Sequence, residues 1–112
     1  MADLDKLMSL DGAIGAFTFS EQGELVDHRA AEGSDLNETI LDLLSHVCVA
    51  NMAIARMQAR GWEQVTGMGG FYPIDGFTLL GFEWSAVVNG QNGVVLANDK
   101  ADYEAAYAAL AG

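Results

Sequence analysis

The 112 residues suffice for one domain with its own core and leave no room for a second, and 51% hydrophobic against 19% charged residues excludes a disordered chain. Sixteen acidic residues face only five basic ones, Lys6, Arg29, Arg56, Arg60 and Lys100, and a charge of −11 argues against nucleic acid and anionic membrane surfaces, which recruit proteins through Lys and Arg. A lone cysteine, Cys48, can form no internal disulfide and suits the reducing cytoplasm, and the acidic amino terminus lacks the basic and apolar regions of a signal peptide.

In chain order, Leu4, Leu7 and Met8 behind Asp3 and Asp5 predict a short amphipathic helix over residues 3–10, ended by Gly12. Residues 13–19 and 24–29 predict two strands joined by the turn Glu21-Gln22-Gly23. Asp35, followed three residues later by Glu38, predicts a capping-box start to a long helix that runs without Gly or Pro to Gly61. Three more strands are expected at 62–72, 77–88 and 94–97, rich in aromatic and β-branched residues, the last two joined by the hairpin signal Asn89-Gly90-Gln91-Asn92-Gly93. Pro73 falls in the turn around Ile74-Asp75-Gly76, where its missing N–H does no harm. Asp99 and Asp102 open a terminal helix with Tyr103, Ala106, Tyr107 and Leu110 on one face. The order α-β-β-α-β-β-β-α, with hairpin-joined strands apolar on both faces, predicts an α+β domain over residues 1–112 whose antiparallel sheet is covered by helices on both sides. The longest apolar run, Val47 to Ala55, is broken by Asn51 and is half the length of a membrane span, so no anchoring segment is expected.

Catalytic chemistry finds little support. Cys48 lies mid-helix in an apolar stretch, with His46 about 200° away around the helix, and reads as a packed thiol. His28 stands on a strand with no nucleophile beside it. One Cys and two separated His make no local zinc site, and Asp3, Asp5 and Asp11 lack the spacing of a calcium loop. Gly67, Gly69 and Gly70 match no phosphate-binding spacing, and they suit a bulge or a close approach in an edge strand. Asp75 reads as a turn residue and Glu83 as a solvent-facing one. No catalytic, cofactor-binding or metal-binding residue is expected.

The long helix carries two stripes. Leu36, Ile40, Leu43, Leu44, Val47, Ala50, Ile54 and Met57 form one broad enough to cover a sheet. The other, Glu38, Asp42, Ser45, His46, Val49, Met52, Ala53, Arg56 and Arg60, is charged at both ends and apolar in the middle, which marks a partner surface. Positions equidistant from Val49 are opposite in charge: Glu38 mirrors Arg60 and Asp42 mirrors Arg56. An antiparallel pair of such helices on a two-fold axis would bring mirrored residues together.

The phrases Leu10-Asp11-Gly12-Ala13-Ile14-Gly15-Ala16-Phe17, Cys48-Val49-Ala50-Asn51-Met52 and Gly61-Trp62 followed by Gly67-Met68, in this element order, resemble the roadblock/dynein light chain superfamily, and within it a family of short bacterial roadblock-like proteins. The resemblance spans almost the whole chain. It implies a five-stranded antiparallel sheet with one long helix on one face and two short terminal helices on the other. It also implies a homodimer in which the long helices and the following strand meet their counterparts, which adds Val65, Gly67 and Gly69 to the expected interface. Roadblock-like proteins act as scaffolds and as regulators of small GTPases, so the expected function is a non-enzymatic, cytoplasmic homodimeric adaptor or regulator with a protein partner, a small GTPase or a metabolic complex. The alternative is a small-molecule sensor or carrier with an apolar pocket between sheet and helices.

Overall fold

Asp3 accepts hydrogen bonds from the Asp5 and Lys6 N–H groups and so caps the first helix, α1 (Leu4–Leu7), of the computed structural model, which describes residues 3–111. Met1, Ala2 and Gly112 of the expected 1–112 domain lie outside the described residues. Strands β1 (Ala13–Phe19) and β2 (Leu25–Ala30) follow, joined through Glu21-Gln22-Gly23 with Gly23 at φ +87°. The long helix, α2, spans Glu38–Thr66, and β3 (Gly76–Leu80), β4 (Trp84–Asn89), β5 (Asn92–Ala97), a 3-10 turn (Asn98–Lys100) and α3 (Tyr103–Leu110) complete the chain.

The five strands form one antiparallel sheet in the order β2-β1-β5-β4-β3. Side chains alternate across it. Phe17, Phe19, Ala86, Val88 and Val95 meet Leu36 and, from α2, Leu41, Leu44 and Cys48; Ala16, Val87, Val94 and Leu96 meet Leu4 and Leu7 of α1 and Ala106 and Leu110 of α3. One long helix thus covers one face and the two short helices the other, as the roadblock resemblance implies.

The element order is the expected one, but boundaries move: the first helix, expected over 3–10, ends at Leu7, Asp99 falls in the 3-10 turn before α3, and larger shifts affect α2 and the strands after it. The cap of α2 is Asn37, not Asp35: its backbone is extended and its Oδ1 accepts the Ile40 N–H at 2.9 Å. The helix runs through Gly61 and stops only at Gly67, which takes φ +68° and donates its N–H to the Glu63 carbonyl. Once a helix is nucleated each added residue gains a hydrogen bond, so one interior glycine, at about 1 kcal/mol, does not end it. Residues 62–66, expected as strand, are therefore helix, and 67–75 carry no strand at all. The third strand comes instead from 77–88, which divides at Gly81-Phe82-Glu83 into β3 and β4. A Cβ on Gly81 would lie 2.5 Å from the Trp84 carbonyl oxygen, so only glycine fits this turn. Asn98 holds the turn in place: its Nδ2 donates to the Gly81 carbonyl at 2.8 Å and its Oδ1 accepts from Ser85 Oγ.

Candidate interaction surface

Two features distinguish the surface: an outward helix face without charge, and one sheet edge without charge. On α2 the buried residues are Leu41, Leu44, Ser45, Cys48, Met52 and Ala59. Leu36 and Leu44 of the expected core stripe are buried and Ile40 half-buried, but Leu43, Val47, Ala50, Ile54 and Met57 point away from the sheet. Leu43 is 66% exposed, Ile54 56% and Met57 72%. The expected core stripe is thus largely the outward one. Hydrophobicity ranks Ser45 and Cys48 below Leu43 and Ile54, yet small side chains let the helix lie closer to the sheet, and Ser45 Oγ satisfies itself on the Leu41 carbonyl at 2.8 Å.

The residues expected to form the partner stripe are spread over several surroundings. Ser45 and Met52 are buried against the sheet side, Val49 is half-buried, and Glu38, His46 and Ala53 are exposed. Asp42 is used within the chain: its Oδ1 accepts the Leu25 N–H at 3.0 Å, and its carbonyl meets His46 Nδ1 at 2.8 Å. Arg56 reaches the Ile74 carbonyl, and Arg60 donates to the Tyr72 hydroxyl at 2.8 Å with its guanidinium 4.3 Å from the Tyr72 ring centre. Both arginines thus fasten the returning segment 67–75 to the helix. Val65 sits on the last turn of α2, 80% exposed, Gly67 is the helix cap, and Gly69 lies in the segment after it, so these three line no strand edge. Val49, Met52, Ala53 and Arg56 do come together, with Phe19, Ser20, Glu21, Gly90 and Gln91, around an open cleft of about 560 Å³.

By length and composition α2 could cross a membrane, which the broken run Val47–Ala55 did not foretell, because the unbroken run is short while the helix as a whole is apolar. Its charged residues, Glu38, Asp42, Arg56, Arg60 and Glu63, all lie along one flank of the buried stripe, within roughly 60° of one another at 3.6 residues per turn.

The two sheet edges differ. β2 carries Asp27, His28 and Arg29, and Arg29 donates to Asp5 of α1 at 2.9 Å and to Asp27 at 3.0 Å. The Asp27 carboxyl is held below its usual range, first by the His28 N–H and then by Arg29. Charges of this kind discourage edge-to-edge pairing. β3, Gly76-Phe77-Thr78-Leu79-Leu80, has none. The Gly81 N–H bonds to the Trp84 carbonyl and the Gly90 N–H to the Asp75 carbonyl, which sets the phase of the β3–β4 ladder. Residues 75, 77, 79 and 81 face β4, so Gly76, Thr78 and Leu80 aim their N–H and C=O groups out of the sheet. Beside them Leu80 is exposed and Phe82, at the tip of the turn, fully so.

Cys48 is fully buried, and burial pushes its thiol from the ordinary 9.0 up to about 12. Between those values the unfolded chain has lost a proton that the native chain keeps, so stability falls as pH rises through that window. Cys48→Ala should keep the fold and flatten this alkaline decline, and native Cys48 should resist iodoacetamide at neutral pH; rapid stoichiometric labelling would show the thiol to be accessible. Among the described residues no group of three His, Cys, Asp or Glu is placed to hold a metal ion.

No curated protein matches the sequence. Among solved structures, the roadblock/LC7 domain of Streptomyces avermitilis superposes with a TM-score of 0.75 at 10% identity, over 96% of this chain and 85% of that one. The gliding protein MglB of Thermus thermophilus gives 0.70 at 18% identity, over 96% and 82%. MglC of Myxococcus xanthus gives 0.58 at 12%, over 96% and 87%. The fold is therefore the roadblock/LC7 fold. The chain belongs to the family described as uncharacterized conserved protein (DUF2173), whose model matches residues 3–112.

Proposed function

We propose that this family member is a non-enzymatic regulatory or adaptor protein of the cytoplasm, whose working unit is a homodimer joined through β3. The observation that carries the reading is the contrast between the sheet edges: β2 is blocked by charge, while β3 presents the outward groups of Gly76, Thr78 and Leu80 with no charged residue among its own. Two copies of β3 meeting antiparallel would satisfy those groups and extend the sheet across a two-fold axis. The exposed Leu80 and Phe82 lie where such a contact would cover them.

The roadblock resemblance supplies the class of partner, a small GTPase or a metabolic protein complex that the dimer scaffolds or regulates. The lone thiol is too deeply buried to act as a nucleophile.

Thr78→Pro tests the dimer. Proline removes one outward N–H and leaves the β3–β4 ladder intact, so the variant should fold yet lose the β3 contact. Equal sedimentation of variant and wild type would exclude edge pairing. Affinity capture from native extract should return a protein in fixed ratio to the dimer. A second reading rests on the cleft beside Val49, Met52 and Phe19, whose volume suits a small ligand. Native mass spectrometry that finds a retained small molecule, with no protein captured, would favour that reading.

A further inference from the structure

Beside the middle of α2, the helix, the end of β1 and the β4–β5 hairpin enclose the open cleft of about 560 Å³. Its walls are tied together. The Gln91 carbonyl accepts the Phe19 N–H at 2.9 Å, the Gly90 N–H reaches the Asp75 carbonyl at 2.7 Å, and Ser20 Oγ accepts the Glu24 N–H at 3.1 Å. Arg56 Nε donates to the Ile74 carbonyl at 3.4 Å, one residue from Asp75, so helix and hairpin tip share an anchor. Walls fixed in advance lower the ordering cost that a ligand must meet.

The lining divides by chemistry. Phe19 and Met52, both almost wholly buried, and the half-buried Val49 make an apolar floor, and methionine adapts to chains of varied shape. Arg56 is the one cation of the lining and Glu21 the one anion. The two form no ion pair with each other. Among the described residues no carboxylate lies within 4 Å of the Arg56 guanidinium, in a chain with sixteen acidic residues. Arg29, by contrast, is bound to Asp5 and Asp27, and Arg60 lies over the Tyr72 ring. With only its Nε–H engaged, Arg56 keeps both terminal NH2 groups, the fork that grips an oxyanion. Glu21 limits the charge of that oxyanion. A carboxylate brings one negative charge and a phosphate monoester about 1.5 to 2, and the larger charge is opposed more strongly by Glu21 and by a chain of −11.

We propose that the cleft binds an amphipathic monocarboxylate, with Arg56 holding the carboxylate and Phe19, Val49 and Met52 the apolar body. This ligand class rests on the small-ligand reading of the cleft above, and not on the homodimer, since no lining residue belongs to β3.

Four probes with the same eight-carbon chain separate the head groups: octanoate, 1-octanol, octylammonium and octyl phosphate, each titrated at low ionic strength into the intact 15N-labelled protein. Octanoate should shift the amides of Val49, Ala53, Gly90 and Gln91 saturably, and at lower concentration than the other three. Arg56→Gln should weaken octanoate about tenfold, the loss of one charge-assisted contact, and bring it level with 1-octanol. Arg56→Lys, which keeps the charge, should retain part of the preference. Glu21→Gln should strengthen octanoate binding, and Arg60→Gln, outside the cleft, should leave it unchanged. Amides of β5 and α3 that stay in place show that each variant is folded. Undiminished octanoate binding by Arg56→Gln overturns the proposal. If 1-octanol matches octanoate at the cleft amides, or octylammonium or octyl phosphate exceeds it, the carboxylate class fails and the ligand site stands. If no probe moves those amides, both fail. Shifts centred on Leu43, Ile54 and Met57 instead place the chain on the outward face of α2 and also overturn the proposal.

Discussion

Phe17→Ala is expected to cost about 3–5 kcal/mol of folding stability, the range for emptying a buried aromatic site. Ordinary domains have only about 5–15 kcal/mol in all. Phe17 lies on β1, between β2 and β5, with no exposed surface, and its ring centre is 5.8 Å from that of Phe19. It packs in the cluster that joins the sheet to α2 through Leu41, Leu44 and Cys48. Truncation therefore opens a void at the one layer where the long helix is held. Urea unfolding at fixed protein concentration measures the loss, since self-association would otherwise shift the midpoint. A change below about 1 kcal/mol would mean that the layer collapses to fill the space.

Gly93→Ala is expected to be the second most damaging small change, although it adds a single methyl. Gly93 pairs with Phe17 across the β1–β5 ladder, and a Cβ there would stand 2.4, 2.6 and 3.0 Å from three atoms of the Phe17 ring. The ring covers the glycine and, being fully buried, has nowhere to swing. Overpacking of this kind costs about 1–3 kcal/mol, sometimes more. The two substitutions should be strongly coupled. With Phe17 already alanine the added methyl meets no ring, so Gly93→Ala should then be close to neutral, and the double variant should be more stable than the sum of the single losses implies. Strict additivity in urea unfolding would show that Gly93 matters for some reason other than the ring above it.

Much of the fold is legible in the residues themselves. Ala13 to Phe19 reads as a strand and is one; the Asn89–Gly93 hairpin turns through Gly90 at φ +62°; Asp3 and Asp102 cap the short helices they precede. These signals are local, set by turn chemistry and capping within a few residues. The boundaries that moved were contests between local preferences. Trp62, Val65 and Thr66 favour a strand in isolation, but they follow a helix already formed, and continuing it satisfies their backbone at once. Gly81 was hidden inside an apolar run because a single glycine in a strand pattern signals a turn only when the two halves pair with each other.

The candidate surface was legible in part. That α2 has more apolar positions than one contact with the sheet can use is legible in the sequence, and the composition alone argues against phosphate and anionic surfaces. Which face is buried could not be read from periodicity, because both stripes repeat at the helical period. Packing against the sheet decided it. The sheet side took the small and self-satisfied residues Ser45, Cys48 and Ala59, which allow close approach, and left Leu43, Ile54 and Met57 outside. The ions that looked free to pair between subunits were likewise claimed by tertiary structure: Asp42 by the Leu25 N–H, Arg56 by the Ile74 carbonyl and Arg60 by Tyr72. The residues alone thus determined the elements and the apolar surplus of α2, through local hydrogen bonding and composition; the choice of faces waited on the folded chain, because it depends on how closely helix and sheet can approach.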